Sequence, residues 1–236
     1  MPFDEMRLAA RGPEPATTLA GGVVPPAPLQ ARPLLIFPYN GNGLEALDCL
    51  GSRYQLLGFI DDLPQKQGRS AHGHLVCERT ALGRWPGAQV LAVPGSAQSF
   101  RSRRALIESL GVPPARFARV IHPTAWISPR ATVGHNVLIM AGVVITSNAV
   151  IGDHVCVLPN TVVHHDARVG AWSLLGSNVT VAGGTRIGEN CYIASGSNVK
   201  DGLSIGAGTL VGLGSNVIRD TPADCCIAGN PARPIR

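Results

Sequence analysis

From Ile121 through Val217 an aliphatic residue occupies every sixth position without a gap: Ile121, Ile127, Val133, Ile139, Ile145, Ile151, Val157, Val163, Val169, Leu175, Val181, Ile187, Ile193, Val199, Ile205, Val211, Val217. Four places after each stands a small or compact residue, from Ala125 and Ala131 through Thr161, Ser173 and Cys191 to Ser215 and Thr221. An α-helix repeats its apolar face every 3.6 residues and a half-buried strand every 2, so neither yields a strict six. The hexapeptide repeat of a parallel β-helix does. Each hexad then supplies one short strand and one corner, and three hexads close a triangular turn. The aliphatic side chain points in, and each turn buries its neighbour's apolar face. Glycines directly after the aliphatic position, at Gly134, Gly152, Gly170, Gly176, Gly188, Gly206 and Gly212, suit corners where a side chain would clash or φ is positive.

Upstream the period changes. Residues 1–32 are rich in Ala, Pro and Gly with no apolar rhythm and read as a disordered tail. Residues 34–37 form an expected buried strand, 38–43 a loop, 44–50 a helix and 55–60 a second strand that ends in Asp61 and Asp62. A further strand at 89–93 leads through Pro94 and Gly95 into a helix over 99–110. The expected organisation is a small Rossmann-like α/β domain with a parallel sheet over 33–120. A left-handed parallel β-helix over 121–222 and a terminal segment over 223–236 complete it.

Charge and composition narrow the functional classes. The net charge is +5, and aromatic residues make up only 5% of the chain. No dense basic run with interleaved aromatics is present, so nucleic acid is not an expected partner. Arg101, Arg103 and Arg104 read as a solvated helix face. No stretch approaches 18 consecutive apolar residues, so no membrane insertion is expected. The six cysteines show no C-x-x-C pair or framework spacing, which favours a reducing, cytoplasmic compartment.

Two constellations carry chemistry. Gly41-Asn42-Gly43-Leu44-Glu45-Ala46 matches G-x-G-x-x-[GA], and Asp61 follows Gly41 by 20 residues at a strand end. Bare amides for a phosphate and a carboxylate for a sugar or base suit a nucleotide ligand. A domain this short cannot hold the two mononucleotide halves of an NAD site, so one nucleotide fits better; a plain glycine turn is the other reading. The second constellation is His164-His165-Asp166 in mid-coil, with His165 at the third hexad position and Gly183 and Gly184 eighteen residues later on the same edge. A neutral imidazole can deprotonate an attacking amine or hydroxyl, Asp166 can fix its tautomer, and the Gly183 amide can hold a thioester oxygen as charge develops. The same residues also suit a solvent-facing corner without chemistry. His135 and His154, 19 apart, can approach across neighbouring coils, but two imidazoles without a third ligand make a weak zinc site.

Together these features resemble bacterial sugar acyltransferases of the sialic acid O-acetyltransferase (NeuD) type, including N-acetyltransferases of nucleotide-linked 4-amino sugars. The carrying residues are the glycine loop, Asp61-Asp62, the uninterrupted coil, His165-Asp166 and the ending Gly229-Asn230-Pro231-Ala232-Arg233. The resemblance covers residues 33–236. It implies a homotrimer with active sites between subunits, acetyl-CoA as acyl donor and a nucleotide-sugar acceptor held by the N-terminal domain. His165 would be the base and Asp166 its orienting partner. Gly183, Gly184, Ser195 and Leu213 would line the path of the cofactor, with Gly41, Asn42, Gly43, Asp61 and Asp62 on the nucleotide sugar. The chain departs from the family pattern at Pro38, where a glycine is usual, at Asn42, where a histidine is usual, and at Leu174, where some relatives carry a pocket histidine. O-acetylation of a sugar, and a non-catalytic or metal-binding scaffold, stand beside N-acetylation as alternatives.

Overall fold

The computed structural model describes residues 31–235. The tail expected over 1–32 lies outside them except for Ala31 and Arg32, and Arg32 already opens the first strand. In the N-terminal domain β1 (Arg32–Phe37), β2 (Tyr54–Ile60), β3 (Gly68–Arg69), β4 (Leu75–Cys77) and β5 (Gln89–Ala92) form one sheet in the order β3-β4-β2-β1-β5. The pairs β1–β2, β1–β5 and β2–β4 are parallel, and β3 returns antiparallel on β4. That two-residue edge strand leaves no periodic signature in the sequence.

The two expected helices are broken into shorter α and 3-10 pieces, and a third helix, at Ala81–Arg84, is unexpected. α1 spans Gly41–Glu45 and passes into a 3-10 turn over Ala46–Cys49, and α2 covers Ala81–Arg84. α3 covers Arg103–Glu108 after a 3-10 turn at Phe100–Ser102. The expected loop over 38–43 thus ends early, because the Asn40 side chain caps the helix by accepting from the Gly43 N–H at 2.8 Å.

The coil is built as the hexads require. Strands pair in parallel with those 18 residues on, as Val144 with Val162 and Val150 with Arg168. Three faces result. The first runs from Arg119–Ile121 to Cys226–Gly229, the second from Trp126–Ile127 to Asn216–Val217, and the third from Thr132–Val133 to Ser204–Ile205. The coil therefore starts two residues before Ile121. It also continues past 222, where Cys226–Gly229 pairs with Leu210–Val211 and folds back on Ala232–Pro234.

The aliphatic positions fill the interior, and so do the compact residues four places on. Where the latter are polar, from Thr161 through Ser215, they are fully buried but satisfied. Thr161 Oγ1 donates to the Gly176 carbonyl at 2.6 Å and accepts the Val179 N–H at 3.1 Å. Thr185 donates to Lys200 and Ser197 to Gly212 in the same geometry. The glycines after the aliphatic position have negative φ, contrary to one of the two reasons expected for them. They are required by close approach, since a Cβ on Gly170 would lie 2.5 Å from Gly188 backbone. The left-handed turn falls two residues later, at Asn148, His154, Asp166, Trp172 and Gly184 among others.

Face one is covered by the N-terminal domain. Leu138, Met140, Cys156 and Leu174 point outward from the coil into one core with Leu34, Ile36, Phe59 and Phe100. Leu174, the position of a pocket histidine in some relatives, is thus interdomain packing. Arg103, expected on a solvated face, is only 1% exposed. Its guanidinium donates to the carbonyls of Pro94 and His154 and so ties the domains together; burial lowers it to about 10, and it stays cationic.

Candidate active site

His165 and Asp166 sit at the corner between faces two and three. Asp166 occupies the left-handed position, with φ 60. That conformation is tolerated by Asp and Asn far better than by branched side chains. It brings the Asp166 Oδ2 within 2.9 Å of His165 Nδ1, while Nε2 has no hydrogen-bond partner among the described residues. Both side chains are more than half exposed. The hydrogen bond from His165, and after it one from Asn148 Nδ2 to Oδ1 at 3.1 Å, holds the Asp166 carboxyl below its usual range. An ionised carboxylate on Nδ1 fixes the tautomer in which Nε2 carries the lone pair.

One coil above, Gly183 presents bare backbone over the imidazole. A Cβ there would lie 2.7 Å from His165 Cε1 and Nε2, so any side chain would displace the ring. The Gly184 N–H is taken by the His165 carbonyl at 2.9 Å, whereas the Gly183 N–H donates to no group among the described residues. An imidazole, a carboxylate bonded to its Nδ1 and an unspent amide donor thus share one edge.

Ser195 and Leu213 lie at another corner, between faces one and two. Ser195 Oγ accepts the Ser177 N–H at 3.0 Å, and Leu213 is 76% exposed. One chain does not bring them to His165. The N-terminal candidates are elsewhere again, at the carboxyl ends of β1 and β2. Gly43 is buried and packed so that a Cβ would meet the Pro38 carbonyl at 2.7 Å, while Gly41 has open space and Asn42 is half-buried.

Asp61 reaches the end of β2 as the spacing predicts, but its carboxylate is 3% exposed and already engaged. It accepts from the Tyr39 and Leu63 amides and from Lys66 Nζ, each near 3 Å. Asp61 therefore shapes the turn after β1. Asp62 is exposed and holds Arg79 through both oxygens.

His135 and His154 do approach, with rings 5.1 Å apart, but within interdomain packing. His135 Nδ1 bonds Asp153, His154 Nδ1 bonds Asn136, and His154 lies flat on Trp172 at 3.8 Å. Desolvation, then the neighbouring His135 and Arg103, lower His154 to about 4. Sequence reasoning missed Asn148; the available signal was its place 18 residues before Asp166.

A family model described as the GMPPB C-terminal domain matches residues 117–205. No curated protein matches the chain significantly in sequence. In structure, the acetyltransferase domain of PglB from Neisseria gonorrhoeae FA1090, solved with acetyl coenzyme A, is similar with TM-score 0.75 and 26% identity over 87% of this chain and 100% of that one. PerB from Caulobacter crescentus, solved with CoA and GDP-perosamine, gives 0.75 and 29% over 87% and 98%. WeeI from Acinetobacter baumannii AYE gives 0.74 and 24% over 87% and 100%, a likeness of fold. The chain is an acyltransferase with a left-handed β-helix. Among the described residues no helix is long and apolar enough to cross a membrane.

Proposed function

We propose that this acyltransferase is an acetyl-CoA-dependent N-acetyltransferase of a nucleotide-linked amino sugar, akin to the NeuD type and working in cytoplasmic glycan biosynthesis. The observation that carries the reading is the oriented His165–Asp166 pair beneath the open Gly183 amide. Nucleotide-sugar and CoA ligands in the PerB structure support the substrate class.

In the proposed reaction the sugar amine attacks the thioester carbonyl carbon. The C–N bond forms as His165 Nε2 accepts the amine proton, and the developing oxyanion is held by the Gly183 N–H. The tetrahedral intermediate collapses with cleavage of the C–S bond, and the proton on His165 goes to the leaving thiolate. Asp166 remains ionised throughout and stabilises the imidazolium.

Donor and acceptor meet between subunits of a homotrimer in this reading. What supports it is the geometry of one chain: the N-terminal domain covers face one, whereas His165 is at the opposite corner. Ser195 and Leu213, on a third edge, would then line the pantetheine path from the neighbouring subunit. Gly41, Asn42 and Gly43 would contact the nucleotide sugar, with Asp61 holding their turn in shape and Asp62 exposed beside it. Six unpaired cysteines support a reducing compartment.

Thiol release from acetyl-CoA against UDP-, dTDP- and GDP-linked amino sugars and their hydroxyl analogues tests this. Release with one amino sugar only is expected. Release with hydroxyl sugars alone would replace the reading with O-acetylation, and no release with any acceptor would contradict it.

A further inference from the structure

We infer that Asn148 is a positioning residue of the acyl-transfer site, holding the Asp166 carboxylate in the orientation that aligns His165. The inference rests on His165 being the base. Asn148 occupies the same hexad position as Asp166, one coil below, and donates from Nδ2 to Asp166 Oδ1 at 3.1 Å. The other oxygen, Oδ2, accepts from His165 Nδ1. The three groups form a line in which each hydrogen bond fixes the next.

Exposure makes this line matter. Side chains of His165 and Asp166 are 67% and 57% exposed, so the imidazole is packed on one side only, against Gly183, and water competes for both oxygens of the carboxylate. A carboxylate held by one oxygen alone can rotate about χ2; a second donor from a fixed coil removes that freedom. Asparagine suits the task because its amide donates at every pH and adds no charge beside Asp166.

A backbone explanation competes, since Asn148 has φ 61 and asparagine is common at such turns, here also at Asn136, Asn160, Asn178 and Asn190. Among the described residues, however, Asn148 is the one asparagine whose side chain donates to a carboxylate. Nothing about the turn requires that contact.

The two explanations separate in a double-mutant cycle with acetyl-CoA and the amino-sugar nucleotide that supports turnover. Asn148→Gly keeps the left-handed backbone and removes the donor. It is expected to lower kcat about fivefold, the equivalent of one ordinary hydrogen bond, with the KM for acetyl-CoA and the melting temperature unchanged. In an Asp166→Ala background the same change should cost nothing further, because Asn148 then has nothing to hold. Asn148→Asp, which keeps both shape and backbone but sets two carboxylates face to face, should lose at least as much as the glycine variant. Equal losses in both backgrounds, or wild-type kcat for Asn148→Gly, would overturn the assignment of Asn148 while leaving His165 untouched. A fully active His165→Ala, or a wild type that turns over no acceptor, would instead remove the base and Asn148 with it.

Discussion

At the corner proposed to carry the base, Nδ1 of the imidazole is committed to Asp166, Nε2 has no hydrogen-bond partner among the described residues, and Gly183 leaves room above the ring. His165→Ala should therefore lower kcat by about 10²- to 10⁴-fold, the usual contribution of a positioned base, with acetyl-CoA affinity by calorimetry close to wild type. Gly183→Ala tests the space rather than the proton. Its methyl carbon would meet the ring at 2.7 Å, so kcat should drop at least about tenfold while the melting temperature holds. His154 makes a different prediction. Its folded value of about 4 lies below the ordinary 6.5, so the unfolded chain binds the extra proton first. Stability from this residue is complete above pH 6.5 and is lost as pH falls from there towards 4, on the order of 2–3 kcal/mol. Chemical denaturation from pH 4 to 7.5 should show that slope in the wild type and a smaller one in His154→Asn. His165, Asp166 and Gly183 were legible in the sequence because an 18-residue coil stacks them. The engagement of Asp61 was not, since its partners Tyr39 and Lys66 converge only through the turns that follow β1 and β2.

Among the elements, the coil was readable and the helices were less so, for one physical reason. A hexad strand is specified by its own repeat and its register by the next coil, so Ile121 through Val217 predicts nearly every rung. The helices of the N-terminal domain carry Gly41 and Gly43 or Ser99 and Ser102 in their first turns, and they tighten into 3-10 geometry that has no period to read. The buried hydroxyls tie neighbouring rungs together. Thr161→Val keeps the shape but strands the Gly176 carbonyl and the Val179 amide in a dry interior, and should cost about 1–3 kcal/mol. The same change at Thr132, exposed on face three, should be neutral in the same thermal melt.

On the scale of the whole molecule, one chain holds all the chemical groups of the proposed site without gathering them. The N-terminal domain lies on face one, fixed there by Arg103 and a shared core, and His165, the proposed base, stands across the coil. No property of the hexads announces this arrangement, because the face that a preceding domain covers depends on outward residues such as Leu138, Cys156 and Leu174. If neighbouring chains complete the site, a Gly43→Ala subunit and a His165→Ala subunit should complement each other. Co-expressed mixtures would recover turnover that neither variant shows alone, and mixtures as inactive as their parents would place acceptor and base in one chain. The measurement that bears most directly on the central claim is thiol release from acetyl-CoA by wild type and His165→Ala across the panel of nucleotide-linked amino sugars. Release that depends on one amino sugar and falls at least about a hundredfold in His165→Ala is the predicted result; undiminished release by His165→Ala would contradict it.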